Sequence, residues 1–330
     1  MYQQAFHQQD ISQKSFLITG GAGFIGSNIV AYLLKHHAKK VRVLDNLSTG
    51  SYENVKRFEH FSNYEFIEGD IRDFETCVKA CKSIDYVSHQ AALGSVPRSV
   101  VNPMATTAVN VNGFVNMLKA AEEQNIATFV YASSSSVYGD EPNLPKVENR
   151  IGKPLSPYAA SKLADEIYAD VFAKTYDMNI IGFRYFNVFG PYQSPKGPYA
   201  AVIPLFMQAL KNRTDCYING DGEQTRDFTF VENAVQANIL GMTTINKNAF
   251  NEVYNIAFGQ RFSINDLFQI LAELLETKQK AIYRESRKGD IKHSLANIEK
   301  AKNLLNYVPK VDFKTGLTIT LKHFIHSNKK

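Results

Sequence analysis

Three groups of residues in this chain have types and spacings that can do chemistry. The first is a glycine triplet, Gly20-x-x-Gly23-x-x-Gly26, which follows the apolar run Ser15-Phe-Leu-Ile-Thr19 and opens a helical pattern at Phe24. Glycines in that context allow a tight turn, let the main chain approach a pyrophosphate, and let helix pack close on strand. The helix N-terminus adds unsatisfied N–H groups and the positive end of its dipole. Asp45 closes the next β-branched run, 19 residues after Gly26. A carboxylate at that place can bind ribose hydroxyls and repels a 2′-phosphate, so the combination points to NAD rather than NADP.

The second group is Tyr158-Ala-Ala-Ser-Lys162. Residues four apart share a helix face, so a phenol and an ammonium can serve one site. Tyr52 and Lys56 repeat the spacing without supporting context. The third group supplies that context for Tyr158. The run Ser133-Ser134-Ser135-Ser136 ends the strand pattern Thr128–Ser133, and ligands of open parallel sheets bind at the carboxyl ends of strands. Ser133 reads as no more than a polar loop residue. No metal site is expected: the eight histidines lack ligand spacing, and Cys77 and Cys81 have no further pair to complete a zinc site.

These groups need elements to position them. Strand-like runs at Phe16–Thr19, Val41–Asp45, Glu65–Glu68, Asp85–His89, Thr128–Ser133 and Ile180–Tyr185 alternate with helical stretches near 24–37, 73–82, 103–125 and 157–176. That rhythm predicts an α/β fold with a doubly wound, Rossmann-like parallel sheet. After about residue 190 glycine and proline break the rhythm, so residues 1–190 are expected to bind the dinucleotide and 191–330 to form a smaller α/β substrate lobe, some of whose C-terminal segments return to the first. Ile264, Leu267, Phe268, Leu271, Leu274 and Leu275 form a helical apolar stripe, read as core. With 330 residues and 44% apolar content, disordered and fibrous classes are excluded. A net charge of +5 is too small and too scattered to argue for nucleic acid. No apolar run approaches the ~20 residues of a membrane span, the N-terminus lacks a signal-like apolar stretch, and three cysteines form no disulfide framework. The expectation is a soluble cytoplasmic protein.

Together, the glycine triplet, Asp45, Ser134, Tyr158 and Lys162 resemble the extended short-chain dehydrogenase/reductase family. Asp70-Ile71, His89-Gln-Ala-Ala-Leu-Gly-Ser-Val-Pro-Arg98, Arg184-Tyr-Phe-Asn-Val-Phe-Gly190, Gly222-Glu-Gln-Thr-Arg-Asp227 and Arg287-Lys-Gly-Asp290 narrow it. The whole chain is similar to UDP-hexose 4-epimerases, in particular the branch that acts on UDP-N-acetylglucosamine for surface polysaccharides. That resemblance implies NAD held by Gly20, Gly23, Phe24, Ile25, Gly26, Asp45, Asn46, Ser48, Thr49, Gly50 and Asn110. It puts Asp70 and Ile71 beside the adenine, Gln90, Ala91 and Ala92 along the dinucleotide, and Tyr185 near the nicotinamide, with Lys162 also on its ribose.

For the substrate, the resemblance implies Asn187, Arg226 and Arg287 on the UDP diphosphate and Asp290 on the uridine ribose. Val202, Tyr217 and Asn219 would surround uracil, and Ser95, Ser135, Ser136, Gln193 and Ser294 would line the sugar pocket. The implied reaction oxidises and re-reduces the sugar at C4 through a 4-keto intermediate, with Tyr158 as base, Lys162 and the nicotinamide cation favouring its phenolate, and Ser134 orienting the proton. Ser294, a small residue, would leave room for an N-acetyl group where relatives restricted to glucose and galactose carry tyrosine. Related dehydratases carry an Asp-Glu pair where this chain has Ser135 and Ser136, so dehydration is not expected. UDP-glucose, UDP-galactose and UDP-hexuronate epimerases, or a non-catalytic NAD-binding sensor, are the alternatives. The family also implies a homodimer, through helices bearing Met104, Ala108, Val111, Val115 and Leu118 and Ala160, Ala164, Ile167 and Val171; burial against the chain's own sheet is the competing reading.

Overall fold

The computed structural model describes residues 1–195, 200–286 and 292–327. Six parallel strands, β1 (Ser15–Thr19), β2 (Lys40–Asp45), β3 (Tyr64–Glu68), β4 (Tyr86–His89), β5 (Thr128–Ser134) and β6 (Ile180–Tyr185), form one sheet with a seventh strand, Glu252–Ile256. Their spatial order is β3-β2-β1-β4-β5-β6 and then Glu252–Ile256. The order reverses between β1 and β4, the switch point where doubly wound sheets leave a crevice beyond their carboxyl ends.

The sheet is covered on both faces, which is why its strands read as near-continuous apolar runs. Successive side chains of a strand point to opposite faces. Accordingly Phe16 and Ile18 join one apolar cluster with Ile29, Val30 and Leu33, from the helix α1 (Phe24–Lys35). Leu17 joins the opposite cluster with Phe114, Met117 and Phe172 from the helices Gly113–Glu123 and Pro157–Tyr176. Each such side chain, fully buried, contributes roughly 1.5–3 kcal/mol relative to exposure. A third cluster gathers Phe189, Ile203, Phe206, Ile218, Leu267, Leu271 and Phe313; it contains the core side of the expected stripe.

Three differences from the sequence reading have physical causes. The helix expected over 103–125 is broken into Pro103–Thr107, a π-helical turn Ala108–Asn112, and Gly113–Glu123. Its start is fixed by Asn102, whose side chain accepts from Ala105 N, and by Pro103 in the first turn. Within the π turn, Asn110 accepts from Leu93 N (2.8 Å) and donates to Ser161 Oγ (3.0 Å), so the wide turn aims a buried amide at two other segments. Ser133 is not a loop residue: it is buried in β5, and its hydroxyl donates to Glu166. Finally, the two apolar helix lines divide. Met104 (79% exposed), Ile167 (58%) and Val171 (48%) face outward, whereas Leu118 is fully buried in the chain's own core.

Among the described residues no helix is long and apolar enough to cross a membrane, and no cluster of His, Cys, Asp or Glu could hold a metal ion.

Candidate active site

A cleft of about 630 Å³ opens at the carboxyl ends of β1, β2, β4, β5 and β6. Its floor begins at the glycine triplet. Gly20 has φ +68°, and a Cβ on it would stand 2.7 Å from Ala91 N. A Cβ on Gly26 would overlap the Gly20 carbonyl oxygen and stand 2.8 Å from Gly21 Cα. Only glycine fits there, and the close loop leaves the N-terminus of α1 facing the cleft. Gly23 caps that helix with no side chain bonded to its first N–H groups, which leaves them available to an anion. Phe24 and Ile25 also line the cleft.

Asp45, at the end of β2, lines the cleft with Asn46, Ser48 and Thr49. Its oxygens accept from Ala22 N (3.0 Å) and Leu47 N (2.8 Å), and burial pushes its carboxyl upward against those two bonds. Gly50 lies against Asp45 and Ala22 behind this wall. Ile71 lines the cleft. Asp70 is instead held by Arg72 (2.6 Å) and Asn46 (2.8 Å), which pull its carboxyl down to about 2. Gln90, Ala91, Ala92 and Ser95 line the middle, and Tyr185 the far wall. Asn110 stands behind the loop, bonded to Leu93.

Ser134, Tyr158 and Lys162 line the same cleft. Ser134 ends β5, and its Oγ accepts from Ser136 N (3.1 Å). Tyr158 and Lys162 come from the first turns of the helix Pro157–Tyr176, started by Ser156, which accepts from Ala159 N, and by Pro157. Lys162 Nζ donates to Ala132 O (2.8 Å) and to Asp165 (3.1 Å). Below it, Arg184 makes a two-pronged ion pair with Glu166 (2.9 and 2.7 Å), joined by Ser133 (2.5 Å). Bidentate pairs of this kind fix both orientation and distance, and this one ties the helix to β5 and β6. Burial pushes the Tyr185 phenol far up, and its oxygen accepts from Asn238 (2.6 Å).

The residues expected around the substrate divide between two places. Asn187 (φ +36°) lines the main cleft, its amide donating to Asp227 O (3.2 Å). Val202, Tyr217 and Asn219 line a separate cavity of about 380 Å³. Arg226 lies in the strand Thr225–Asp227, and Ser294 N donates to the neighbouring Thr225 O (3.1 Å), so these two share a paired stretch of backbone. Ser135 and Ser136 form a 3-10 turn after Ser134, and Gln193 bonds to Val188 O; none of the three borders the main cleft. Arg287 and Asp290 lie outside the described residues.

Several residues at the site were not singled out in the sequence. Arg98 lines the cleft, and Arg284 lines the second cavity with its guanidinium on Asn219 Oδ1 (2.7 Å) and over the Tyr217 ring. Asn238 joins Ser88 Oγ (3.0 Å), Gln90 and Tyr185 behind the cleft wall that Gln90 and Tyr185 form. Asp165 and Glu166 were readable in principle, three and four residues from Lys162 on one helix face. Asn238 had no local signal.

Comparison with known proteins agrees with this geometry. The chain is similar to the UDP-N-acetylglucosamine 4-epimerase of Methanobrevibacter ruminantium, solved with UDP-N-acetylmuramic acid: 41% identity, TM-score 0.90, covering 96% of this chain and 99% of that one. It is similar to Thermus thermophilus UDP-glucose 4-epimerase, solved with NAD: 33% identity, TM-score 0.84, covering 94% and 99%. It is also 32% identical to the UDP-glucuronate 4-epimerase of Thermodesulfobacterium geofontis, over 93% of this chain and 94% of that protein. The glycine cradle, the uncapped helix terminus and Asp45 fit NAD, which is the cofactor. With residues 16–257 matching the family profile, the chain belongs to the NAD dependent epimerase/dehydratase family.

Proposed function

We propose that the protein is a UDP-sugar 4-epimerase that interconverts UDP-GlcNAc and UDP-GalNAc as polysaccharide precursors. The observation that carries this reading is the convergence of Ser134, Tyr158 and Lys162 on the cleft that starts at the glycine cradle. Bound NAD supplies a reversible hydride acceptor for the sugar C4. Gly20, Gly26 and the α1 N-terminus would hold its pyrophosphate, Asp45 the adenosine ribose, and Lys162 the nicotinamide ribose. Tyr158 takes the C4 hydroxyl proton on its phenolate oxygen and returns it after reduction. Ser134 hydrogen-bonds the same sugar oxygen and keeps it in line with Tyr158. Serines at 135 and 136 offer no acid–base pair to take the C5 proton and protonate the departing C6 hydroxyl, as a dehydratase must.

Asn187 and Arg226 are assigned to the diphosphate, together with Arg287; Asp290 is assigned to the ribose. The cavity of Val202, Tyr217, Asn219 and Arg284 suits a planar base beside a stacked guanidinium–phenol pair. Ser294, next to the Arg226 strand, is small enough to admit an acetamide. The N-acetyl preference is supported by this residue and by the 41% identity to a UDP-N-acetylglucosamine 4-epimerase. Residues 1–190 are assigned to cofactor binding and 191–330 chiefly to UDP-sugar binding. Exposed Met104, Ile167 and Val171 on adjoining helices favour a homodimer; light scattering that finds only 37.1 kDa particles would remove it.

The test is kcat/KM with UDP-GlcNAc, UDP-glucose and UDP-glucuronate. UDP-GlcNAc should give the highest value, with UDP-GalNAc as product. Dominant turnover of either other sugar would move the assignment to that substrate, and no turnover of any would favour a non-catalytic NAD-binding role.

A further inference from the structure

One buried charge touches the catalytic constellation without belonging to it. Asp165 lies on the helix Pro157–Tyr176, fully buried, with Oδ2 3.1 Å from Lys162 Nζ. An ammonium has three N–H groups. For Lys162 one donates to Ala132 O, at the end of β5, and one to Asp165, while the side chain also borders the cleft. The neighbouring Glu166 provides a contrast. Its two oxygens are both engaged, by Arg184 and Ser133, and it ties helix to sheet. Asp165 makes no such tie: among the described residues its other oxygen, Oδ1, is buried and has no hydrogen-bond partner. A buried ion pair used only for stability is no better than an apolar pair of the same size, and a half-satisfied one is worse. The carboxylate is directed at Lys162 alone.

We propose that Asp165 is a positioning residue for Lys162: its carboxylate fixes the ammonium so that the remaining N–H faces the cleft, and its negative charge tempers the pull of that ammonium on the Tyr158 phenolate. The inference rests on the Ser134–Tyr158–Lys162 chemistry proposed above. Other charged and titratable groups around the pair are Glu166 and Asp170 on the same helix, Tyr131 on β5, Arg184 on β6 and His89 on β4. Glu166 is neutralised by Arg184, and burial keeps Tyr131 protonated and His89 neutral. Burial likewise pushes the Asp165 carboxyl up to about 7 while Lys162 pulls it down. The tether therefore carries its charge above about pH 7 and loses it below.

The magnitude follows from the helix. Asp165 is seven residues from Tyr158, or ~10 Å along the axis. Unit charges ~10 Å apart at an effective dielectric of ~20 change an ionisation by about one pH unit. Asp165→Asn keeps an acceptor for Lys162 but removes the charge. In that variant the acid limb of kcat/KM should move about one unit to lower pH, because the site has lost one negative charge. The kcat on the plateau should fall about tenfold, because the ammonium is held less firmly, while KM stays within about twofold. Asp165→Glu, which restores the charge, should bring the limb back toward the wild-type position. An acid limb displaced by less than about 0.3 unit, or kcat and stability falling uniformly at every pH, would overturn the proposal.

A second measurement needs neither turnover nor a folded Asp165→Asn variant. With 13C-labelled aspartate in the NAD-loaded protein, the Asp165 carboxyl should titrate near neutral pH, and Lys162→Met should raise its midpoint by more than one unit. An unchanged midpoint in Lys162→Met would show that the two charges are not coupled and overturn the tether. Wild-type turnover alone decides the epimerase reading, so failure of one is distinguishable from failure of the other.

Discussion

Gly26→Ala is the smallest change that tests how the cofactor is held. The added methyl would overlap the Gly20 carbonyl oxygen and approach Gly20 C and Gly21 Cα at 2.8 Å each. These are backbone atoms of the glycine loop, so relief requires the loop itself to move by roughly 1 Å toward an ordinary van der Waals separation. Gly20 has little freedom to yield, because it holds φ +68° and abuts Ala91 N. Overpacking of this kind costs ~1–3 kcal/mol, and if the strain falls on the loop that receives the pyrophosphate, the NAD dissociation constant rises ~10–100-fold. Two other glycines calibrate the argument. A Cβ on Gly23 would stand 3.1 Å from Gly20 O, a milder crowding than at Gly26, and one on Gly94, which also borders the cleft, would meet nothing within 4 Å. Calorimetric titration of NAD into apo protein should therefore rank the losses Gly26→Ala, then Gly23→Ala, with Gly94→Ala within about twofold of wild type. Equal affinity in Gly26→Ala and Gly94→Ala, with both variants folded, would refute the cradle.

Other expected outcomes are independent of that loop. Ser294→Tyr should lower kcat/KM for UDP-GlcNAc at least ~10-fold relative to UDP-glucose; an unchanged ratio would remove Ser294 as the size gate. Arg184→Met should leave Glu166 buried without its cation and cost ~3–5 kcal/mol in denaturant unfolding, and a loss under ~1 kcal/mol would show that the pair is dispensable. His89 is held neutral, its imidazolium pushed down to about 3 by burial and then by Lys162. Its unfolded value is ~6.5, so the folded state binds fewer protons between those values, and stability present above pH ~6.5 is lost as pH falls, by ~2 kcal/mol at pH ~5. His89→Gln should flatten that part of the stability–pH curve; an identical slope would mean His89 does not titrate as described.

The sequence made the first half of the molecule legible because its signals are local. Each strand of β1 to β6 is a short run carrying β-branched or aromatic residues, and the glycine triplet lies where one strand meets one helix. The strand Glu252–Ile256 was not singled out, since its partner β6 lies some 70 residues earlier and only their parallel register marks it. The helix Val231–Thr243 is buried along its whole length, so it has no polar face to give a helical period. Leu118 and Met104 share one apolar line in the sequence, and the π turn between them sends one inward and the other outward. At the site, Tyr158 and Lys162 share a four-residue spacing that Tyr52 and Lys56 repeat, and only the serine run at the end of β5 set the first pair apart. The Asn238–Gln90 contact spans 148 residues, and the Arg284–Asn219 contact spans 65; nothing local in the sequence announces either.

The central claim is that hydride leaves C4 of the sugar and returns to the same carbon on the opposite face. UDP-GlcNAc deuterated at C4, incubated with the protein and NAD, tests it most directly. The account predicts UDP-GalNAc that still carries its deuterium at C4, with Tyr158→Phe binding both ligands and forming almost none. Deuterium released to water, or undiminished turnover in Tyr158→Phe, would contradict it.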